Sequence, residues 1–313
     1  MKRRNGLWIW VSLAGIALFL CFPAAAGAGV RSGLALCGGV LIPSLFPVSV
    51  LAGCLIRMRG TGSASSPAER WMRALFRLPG AAALPFLLGL LGGFPLGAQL
   101  AASLCREGTL TKQDAARLAG LSNNAGPGFL LGAAGTILGS PAVGMMLFGI
   151  QFTSAVLAGI LLRGASKQQK KPSANTETST NGKAVSATAI LPKSIADSAL
   201  AMLRLTGAVA FFQAVSFCLF GLLPMDALPP IWQAFYSALV ELAGGIALFR
   251  GISAQAVFPM AAALIGWGGL CVHLQAFQAL SEAEIPFRPY LRHKFLQMLL
   301  AWSMGLLLFS FRG

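Results

Sequence analysis

The feature that most constrains this chain is a polar stretch, SNNAGPG at residues 122–128, which separates two apolar runs. Proline lacks a backbone N–H and glycine loosens the backbone, so a helix that enters this stretch should break there. A break at membrane depth persists only where it is buried in protein or lines a watery cavity. We therefore interpret the stretch as the middle of a broken transmembrane helix. Its candidate residues for binding an ion or a polar ligand are Ser122, Asn123, Asn124 and Gly126.

The composition indicates a polytopic membrane protein. Of the 313 residues, 56% are apolar and 11% are charged, and apolar runs of about 20 residues, the length that spans a bilayer, make up most of the chain. The net charge of +15 lies in short connections between these runs, as on cytoplasmic loops. We therefore expect a lipid bilayer, and no nucleic acid, as the partner of the basic residues. The six cysteines are scattered singly, so neither a disulfide framework nor a metal site is expected.

Residues 1–29 form a separate N-terminal unit. The basic sequence MKRR precedes apolar residues 7–22 and the small residues AAAGA at 24–28, which is the layout of a secretory signal peptide. A signal anchor that is retained as the first span fits the same layout. We favour the anchor because a polytopic protein needs no cleavage, and it places the N-terminus in the cytoplasm.

The first half of the chain, residues 30–163, alternates spans with interrupted segments. Residues 30–56 form a span that is followed by arginines on the cytoplasmic side. The apolar segment 84–104 is broken by GGFPLG at 92–97 and has basic residues on both flanks, so we expect a re-entrant hairpin there. The candidate binding residues at and beside its tip are Gly93, Phe94, Pro95 and Gln99.

The rest of the first half contains the broken helix and a second span. A capping box, Thr111 to Asp114, starts the helix that runs into the polar stretch. The sequence GSP at 139–141 then turns the chain into a span at 142–162. Residues 164–193 are rich in Ser, Thr, Asn and Lys and are predicted to be a disordered cytoplasmic linker between the halves.

The second half, residues 194–313, repeats the order of the first. It contains a span, an interrupted hairpin, a broken helix and a final span, at residues 195–223, 231–249, 257–280 and 291–311. The first half begins outside and ends inside, whereas the second begins inside, so the repeats should have opposite orientations. The predicted fold is an all-α polytopic membrane protein with an inverted-repeat, transporter-like core, two re-entrant hairpins and two broken transmembrane helices.

The second hairpin contains Glu241, an acidic residue inside an apolar run, within the sequence ELAGG. A lone charge in a membrane is costly and is usually retained for function. We therefore take Glu241 as a binding candidate, together with Gly244 and Gly245 of the same hairpin. The alternatives for Glu241 are a shallow position and an ion pair with Arg250.

Other polar residues have two interpretations each. His273 lies on the second broken helix, where a proton relay and a hydrogen-bonded structural role are alternatives. His293 is expected at the cytoplasmic interface with its neighbours Arg292 and Lys294. The glutamines that are candidates either to line a polar cavity or to hydrogen-bond between helices are Gln99, Gln213, Gln255 and Gln275.

The sequence contains no motif that is typical of an enzyme. A nucleotide-binding glycine loop, a zinc-ligand cluster and a Ser/His/Asp constellation are all missing. We therefore expect neither catalysis nor a bound cofactor. Transport would be driven by a gradient, either the substrate's own or that of a coupling ion, for which Na⁺ and H⁺ are the candidates.

Three motifs of the first half resemble those of a known family. IPSLFP at 42–47, GFPLGA at 93–98 and SNNAGP at 122–127 resemble the sporulation integral membrane proteins of the YlbJ (SpoVV) type, in the wider nucleoside-recognition or Gate group. The resemblance covers most of the chain, specifically in the first half and loosely in the second. Gln99 stands where the family often carries a basic residue.

The resemblance implies a fold similar to that of concentrative nucleoside transporters. It also implies movement of dipicolinic acid from the mother cell through the outer forespore membrane. By position, Ser122, Asn123 and Asn124 would form the ion- or substrate-binding break of the first repeat. Glu241 would lie near the place where nucleoside transporters have an acidic substrate contact.

The leading hypothesis is a secondary transporter of a small polar or anionic metabolite, with dipicolinic acid as the specific candidate. One alternative is a non-transporting membrane scaffold or sensor that spore assembly requires. Another is a nucleoside or nucleobase transporter. Whether the protein forms a homo-oligomer stays open.

Overall fold

The computed structural model describes residues 2–58, 67–164, 187–222 and 225–310, which fold as helices and turns without a strand. Four helical stretches within these ranges are long and apolar enough to cross a membrane: Pro23–Leu55, Pro141–Leu161, Thr188–Leu222 and Ala254–Ser281. The protein is therefore an all-helical, polytopic membrane protein, as the composition predicted.

The described residues 2–58 and 67–164, which comprise the N-terminal unit and the first half, contain nine α-helices. They are α1 (Lys2–Cys21), α2 (Pro23–Leu36), α3 (Ile42–Met58), α4 (Pro67–Trp71), α5 (Ala83–Gly92), α6 (Leu96–Arg106), α7 (Lys112–Ser122), α8 (Gly135–Ile137) and α9 (Pro141–Leu161). A π-helical turn, Cys37–Leu41, joins α2 to α3, and a second one, Gly128–Ala134, leads into α8. The pair α5 and α6 is the predicted hairpin, and α7 with the Gly128–Ala134 turn is the predicted broken helix.

The described part of the second half contains six α-helices in the same order. They are α10 (Ala187–Leu222), α11 (Pro230–Val240), α12 (Leu242–Ala247), α13 (Ala254–Trp267), α14 (Gly269–Ser281) and α15 (Phe287–Ser310). The hairpin is α11 with α12, and the broken helix is α13 with α14. Both hairpins and both broken helices lie where the sequence predicted them, whereas the opposite orientation of the two repeats in the membrane stays a prediction.

Some boundaries differ from the prediction. The helix of the first span begins at Pro23 and not at residue 30, and α10 begins at Ala187, inside the predicted linker 164–193. Residues 165–186 of that linker lie outside the described residues. Helix α15 is not among the four stretches that meet the length and hydropathy criteria. Its first turns carry three basic residues, so a full crossing by α15 stays a prediction.

Two local signals determine where helices begin. Thr111 Oγ1 accepts a hydrogen bond of 3.0 Å from Asp114 N, which caps α7 as the capping box predicted. Ser140 Oγ accepts one of 3.4 Å from Val143 N, and Pro141 occupies the first turn of α9.

The two halves pack as one bundle. Helix α10 of the second half packs along α2 and α3, and α15 packs against α7 and α9 of the first half. Large apolar side chains on the outer faces of the bundle, among them Leu203, Phe211 and Trp302, are exposed. Exposure of this kind matches a surface in contact with lipid tails.

A surface ion pair joins the two broken helices at one end of the bundle. Lys112 Nζ at the start of α7 lies 2.7 Å from Glu284 Oε2, just after α14. The hydrogen bond from Lys112 lowers the pKa of the Glu284 carboxyl, and the same bond raises the pKa of Lys112. Because both side chains are solvent-exposed, this pair contributes little to stability.

Candidate functional site

The tip of the first hairpin packs directly on the backbone of the first break. A Cβ placed on Gly97 would lie 2.5 Å from the carbonyl carbon and oxygen of Ser122, and one placed on Gly93 would lie 2.9 Å from Gly126 N. Gly93 also has a φ of 76°, which disfavours residues with a side chain. Glycine at these positions is therefore what lets the hairpin tip reach the polar stretch.

The second hairpin and the second break meet in a similar way. A Cβ on Gly269 would lie 2.7 Å from Ala238 O of α11, and one on Gly268 would lie 3.4 Å from the Phe94 ring. Phe94 belongs to the first hairpin, so its ring joins the two halves. The four interruptions that the sequence predicted therefore lie together inside the bundle.

A cavity of about 50 Å³ lies between these interruptions. Its lining combines apolar residues with members of three interruptions: Phe94, Ala125, Gly126, Glu241, Leu242, Val272 and Gln275, among others. A water molecule needs roughly 10–15 Å³ of such volume, so the cavity has room for a few waters or a small ion. We call this space the central cavity.

Glu241 reaches the central cavity from the tip of the second hairpin. It is 3% exposed, and its Oε2 accepts hydrogen bonds of 2.7 Å from Gly244 N and 3.0 Å from Gln213 Nε2. Its Oε1 accepts one of 3.1 Å from Ala243 N, so the carboxylate caps α12. No ion pair between Glu241 and Arg250 occurs among the described residues.

Gly244 and Gly245 serve the packing of the second hairpin. A Cβ on Gly244 would lie 1.6 Å from Gln213 Nε2, and one on Gly245 would lie 2.1 Å from Ala238 N. Both glycines therefore allow α12 to fold back onto α11 and α10. Neither lines the central cavity, so a direct binding role for them stays a prediction.

The backbone of the first break is satisfied by a side chain from α9. Gln151 Nε2 donates to Ala125 O at 2.7 Å, and Gln151 Oε1 accepts from Ala125 N at 3.3 Å. Ser122 Oγ donates to Leu118 O at 2.7 Å, and Asn124 Nδ2 donates to Leu121 O at 2.8 Å. The bonds to Ala125 and Leu121 replace helical hydrogen bonds that are lost at the break, and the Ser122 bond adds to the last turn of α7.

We expect Gln151→Ala to lower the melting temperature of the purified protein markedly. It leaves the buried N–H and C=O of Ala125 without their partner, at a cost of about 1–3 kcal/mol for each group. The matched control is Gln255→Ala, since Gln255 is exposed. Equal melting temperatures for the two variants would contradict this role of Gln151.

A buried lysine completes the polar cluster at the break. Lys294 of α15 is fully buried, and its Nζ donates to Asn124 Oδ1 at 3.0 Å and to Gln297 Oε1 at 2.9 Å. Gln297 Nε2 donates to the same Asn124 oxygen at 2.8 Å. The Lys294 Nζ also lies 5.6 Å from the centre of the Phe94 ring, within the range of a cation–π interaction.

His293 and Lys294, which the sequence predicted at the cytoplasmic interface, are buried inside the bundle, and their depth in the membrane stays a prediction. Both are buried, because α15 lies against α7 and α9, and the His293 Cβ is 2.6 Å from where a Cβ on Gly120 would be. The spacing of polar and small residues along α15 could have predicted this burial from the sequence. The fully buried residues of α15 recur every three or four positions and combine polar with small side chains: Tyr290, Lys294, Gln297 and Ala301.

His273 and Asn123 meet at a second polar cluster, around Tyr290. The Tyr290 hydroxyl lies 3.2 Å from His273 Nδ1 and accepts a hydrogen bond of 3.3 Å from Asn123 Nδ2. His273 Nε2 and Asn123 Oδ1 are buried and have no hydrogen-bond partner among the described residues. The contact with Tyr290 agrees with a structural imidazole, and the proton-relay alternative is untested.

Two adjoining pockets lie beside the first hairpin tip. Their volumes are about 300 and 350 Å³, and both are lined by Pro95, Gln99, Arg106, Asp197 and Ala201. We call the two together the vestibule. Phe94 lines one of these pockets as well as the central cavity, and Gln275 lines the other as well as the central cavity. The predicted candidate Gln275 therefore lines both the vestibule and the central cavity, and Gln99 lines both pockets of the vestibule.

No group of three or more His, Cys, Asp or Glu side chains that could hold a metal ion occurs among the described residues. A larger pocket of about 670 Å³ lies between α7, α9 and α15, beside Arg117 and His293. Arg117 in that pocket is paired with Asp114 at 3.2 Å.

The fold and the site define a class of protein: a polytopic helical membrane protein in which two hairpins and two broken helices surround a buried polar centre. Over 90% of its length the chain is 23% identical to the sporulation integral membrane protein YlbJ of Bacillus subtilis (strain 168), of which the alignment covers 77%. The chain is therefore a homologue of YlbJ, and the similarity supports the YlbJ-type family that the first-half motifs indicated.

Two further comparisons found no match. No family model matches the chain, so its relation to the nucleoside-recognition or Gate group stays a prediction. No solved structure matches it either.

Proposed function

We propose that this protein is a secondary transporter of a small polar or anionic metabolite. The observation that carries the proposal is the meeting of four interrupted segments around the central cavity, which is lined by Phe94, Gly126 and Glu241. In secondary transporters, interrupted helices near the middle of the membrane expose backbone groups and helix ends that bind substrates and ions.

The vestibule, which adjoins the central cavity, supports the same proposal. The vestibule is lined by three arginines, Arg57, Arg106 and Arg204, and by three carboxylates, Glu107, Asp197 and Glu282, with Arg57 paired to Asp197. A guanidinium group can pair with both oxygens of a carboxylate, which is how Arg106 or Arg204 would hold an anionic substrate. The Phe94 ring lies between the vestibule and the central cavity, in the position of a gate.

The specific form of the proposal is export of dipicolinic acid from the mother cell toward the forespore, in the outer forespore membrane. Its support is the similarity to a sporulation integral membrane protein over most of the chain and the family resemblance of the first-half motifs. Dipicolinic acid is small, planar and doubly anionic at neutral pH. Its carboxylates suit the arginines of the vestibule, and its ring suits contact with Phe94.

We expect dipicolinate to cross liposomes that contain the purified full-length protein at least tenfold faster than protein-free liposomes. Terbium trapped inside the vesicles reports entry, because dipicolinate sensitises its luminescence. Benzoate, a singly charged ring of similar size, is the control for leakage, and uridine and adenine test the nucleoside and nucleobase alternative.

Each outcome has a distinct meaning. If uridine or adenine crosses the membrane and dipicolinate does not, the result would contradict dipicolinic acid export and favour the nucleoside or nucleobase alternative. Equal rates for every solute with and without protein would contradict transport and favour the scaffold or sensor.

A further inference from the structure

Lys294 places a buried amine at the site, and no carboxylate pairs with it in the part of the chain that the structure describes. The ion pairs among the described residues are Arg57–Asp197, Lys112–Glu284 and Arg117–Asp114, and none includes Lys294. The buried carboxylate of Glu241 is bound by Gln213 and backbone amides instead. The charge on Lys294 is therefore balanced only by dipoles.

Those dipoles form the kind of site that binds a cation. Asn124 Oδ1 and Gln297 Oε1 approach Nζ at 3.0 and 2.9 Å, and the Phe94 ring faces it at 5.6 Å. Asn124 lies just beyond Ser122, the last residue of α7, where the helix dipole places partial negative charge. In ion-coupled transporters, unwound backbone and half-helix C-terminal ends coordinate the driving cation.

Lys294 is not placed to touch a substrate. It is fully buried and is not among the residues that line the central cavity or the two pockets of the vestibule. The Phe94 ring separates its ammonium from these spaces. A residue that binds substrate would have to line the vestibule or the central cavity. A fixed cation needs only to be coordinated by the oxygens at the first break.

We propose that the Lys294 ammonium occupies the cation position of the first broken helix, so that this transporter works without Na⁺. A mobile coupling ion is replaced by a charge that is attached to α15 and holds α7, α9 and α15 together through Asn124 and Gln297. This inference rests on the proposed transport function for its mechanistic meaning. The cation site itself can be tested without any substrate.

The test removes the ammonium and asks whether Na⁺ takes its place. Lys294→Ala and Lys294→Ser leave the oxygens of Asn124 and Gln297 around a space that fits a partly hydrated Na⁺. Lys294→Met is the matched control, because its side chain fills the space without charge. The melting temperature of each purified full-length protein is measured in NaCl and in N-methyl-D-glucamine chloride at equal ionic strength.

For the wild-type protein, and likewise for Lys294→Met, we expect the melting temperature in NaCl to equal that in N-methyl-D-glucamine chloride. Lys294→Ala and Lys294→Ser are expected to melt roughly 3–6 °C higher in NaCl, because an ion that binds only the folded state stabilises it. Either of the two small variants suffices if the other does not fold. In liposomes, dipicolinate flux through the wild-type protein should change less than about twofold when Na⁺ is replaced.

Three results would overturn the proposal. One is a Na⁺-specific stabilisation of the wild-type protein, and another is a loss of wild-type flux without Na⁺, since each shows a separate cation site. The third is that neither small variant is stabilised by Na⁺, or that neither yields folded protein in NaCl. Failure of the transport function itself would appear as missing flux in every salt, and the melting temperatures would still decide the cation site.

Discussion

Glu241→Ala is expected to reduce dipicolinate flux at least tenfold and to lower the free energy of unfolding by about 3–5 kcal/mol. The substitution removes the acceptor of three buried donors, Gln213 Nε2 and the backbone amides of Ala243 and Gly244. A buried donor without a partner costs about 1–3 kcal/mol, and partial repacking reduces the sum. The measurements are flux in liposomes and urea unfolding of the purified protein.

A second variant distinguishes an effect on stability from an effect on transport, and a third serves as a control. Glu241→Gln keeps one acceptor oxygen at the tip of α12 and should retain more stability than Glu241→Ala, so low flux in a folded Glu241→Gln protein would indicate a need for the negative charge. Glu284→Gln is the control, because Glu284 is exposed and its substitution should change neither measurement noticeably. Wild-type flux and stability in Glu241→Ala would contradict the role of this carboxylate.

Gly97→Ala is expected to separate the first hairpin from the first break. The added Cβ would lie 2.5 Å from the Ser122 carbonyl and 2.6 Å from Asn123 N. These are backbone atoms, which no change of rotamer can move away. Overpacking of a well-packed core typically costs about 1–3 kcal/mol, and the displaced tip should reduce flux at least tenfold because Phe94 moves with it.

The chain offers a matched control for this substitution. Gly149 lies on an exposed face of α9, and a Cβ there would meet nothing within 4 Å. Gly149→Ala should therefore keep wild-type flux and gain slightly in stability, since alanine favours a helix more than glycine does. If Gly97→Ala behaved like Gly149→Ala, the close contact between the hairpin tip and the break would not matter for function.

The sequence predicted the elements of this fold well because their signals are local. Proline and glycine disturb the helical backbone at the residue where they occur, so the stretches at 92–97, 122–128 and 266–269 could be located without knowledge of their neighbours. Glu241 was detectable for a related reason. A single acid within an apolar run is costly wherever that run is buried.

The partners of these interruptions were harder to predict. Lys294 and Asn124 are 170 positions apart, and Gln297 and Asn124 are 173 apart. A basic residue near the start of an apolar helix usually lies at the membrane interface, so Lys294 and His293 were assigned there. Only the packing of α15 against α7 and α9 shows that the same residues are buried.

The amino-acid sequence by itself determined the class of protein, the order of helices and interruptions, and most of the residues at the four breaks. The tertiary structure decided which side chains hydrogen-bond to the groups at those breaks, namely Gln151, Gln213 and Gln297. It also decided that Lys294 packs against the Phe94 ring. The physical reason is that helix breaking and membrane insertion depend on short segments, whereas burial of a polar side chain depends on which distant helix covers it.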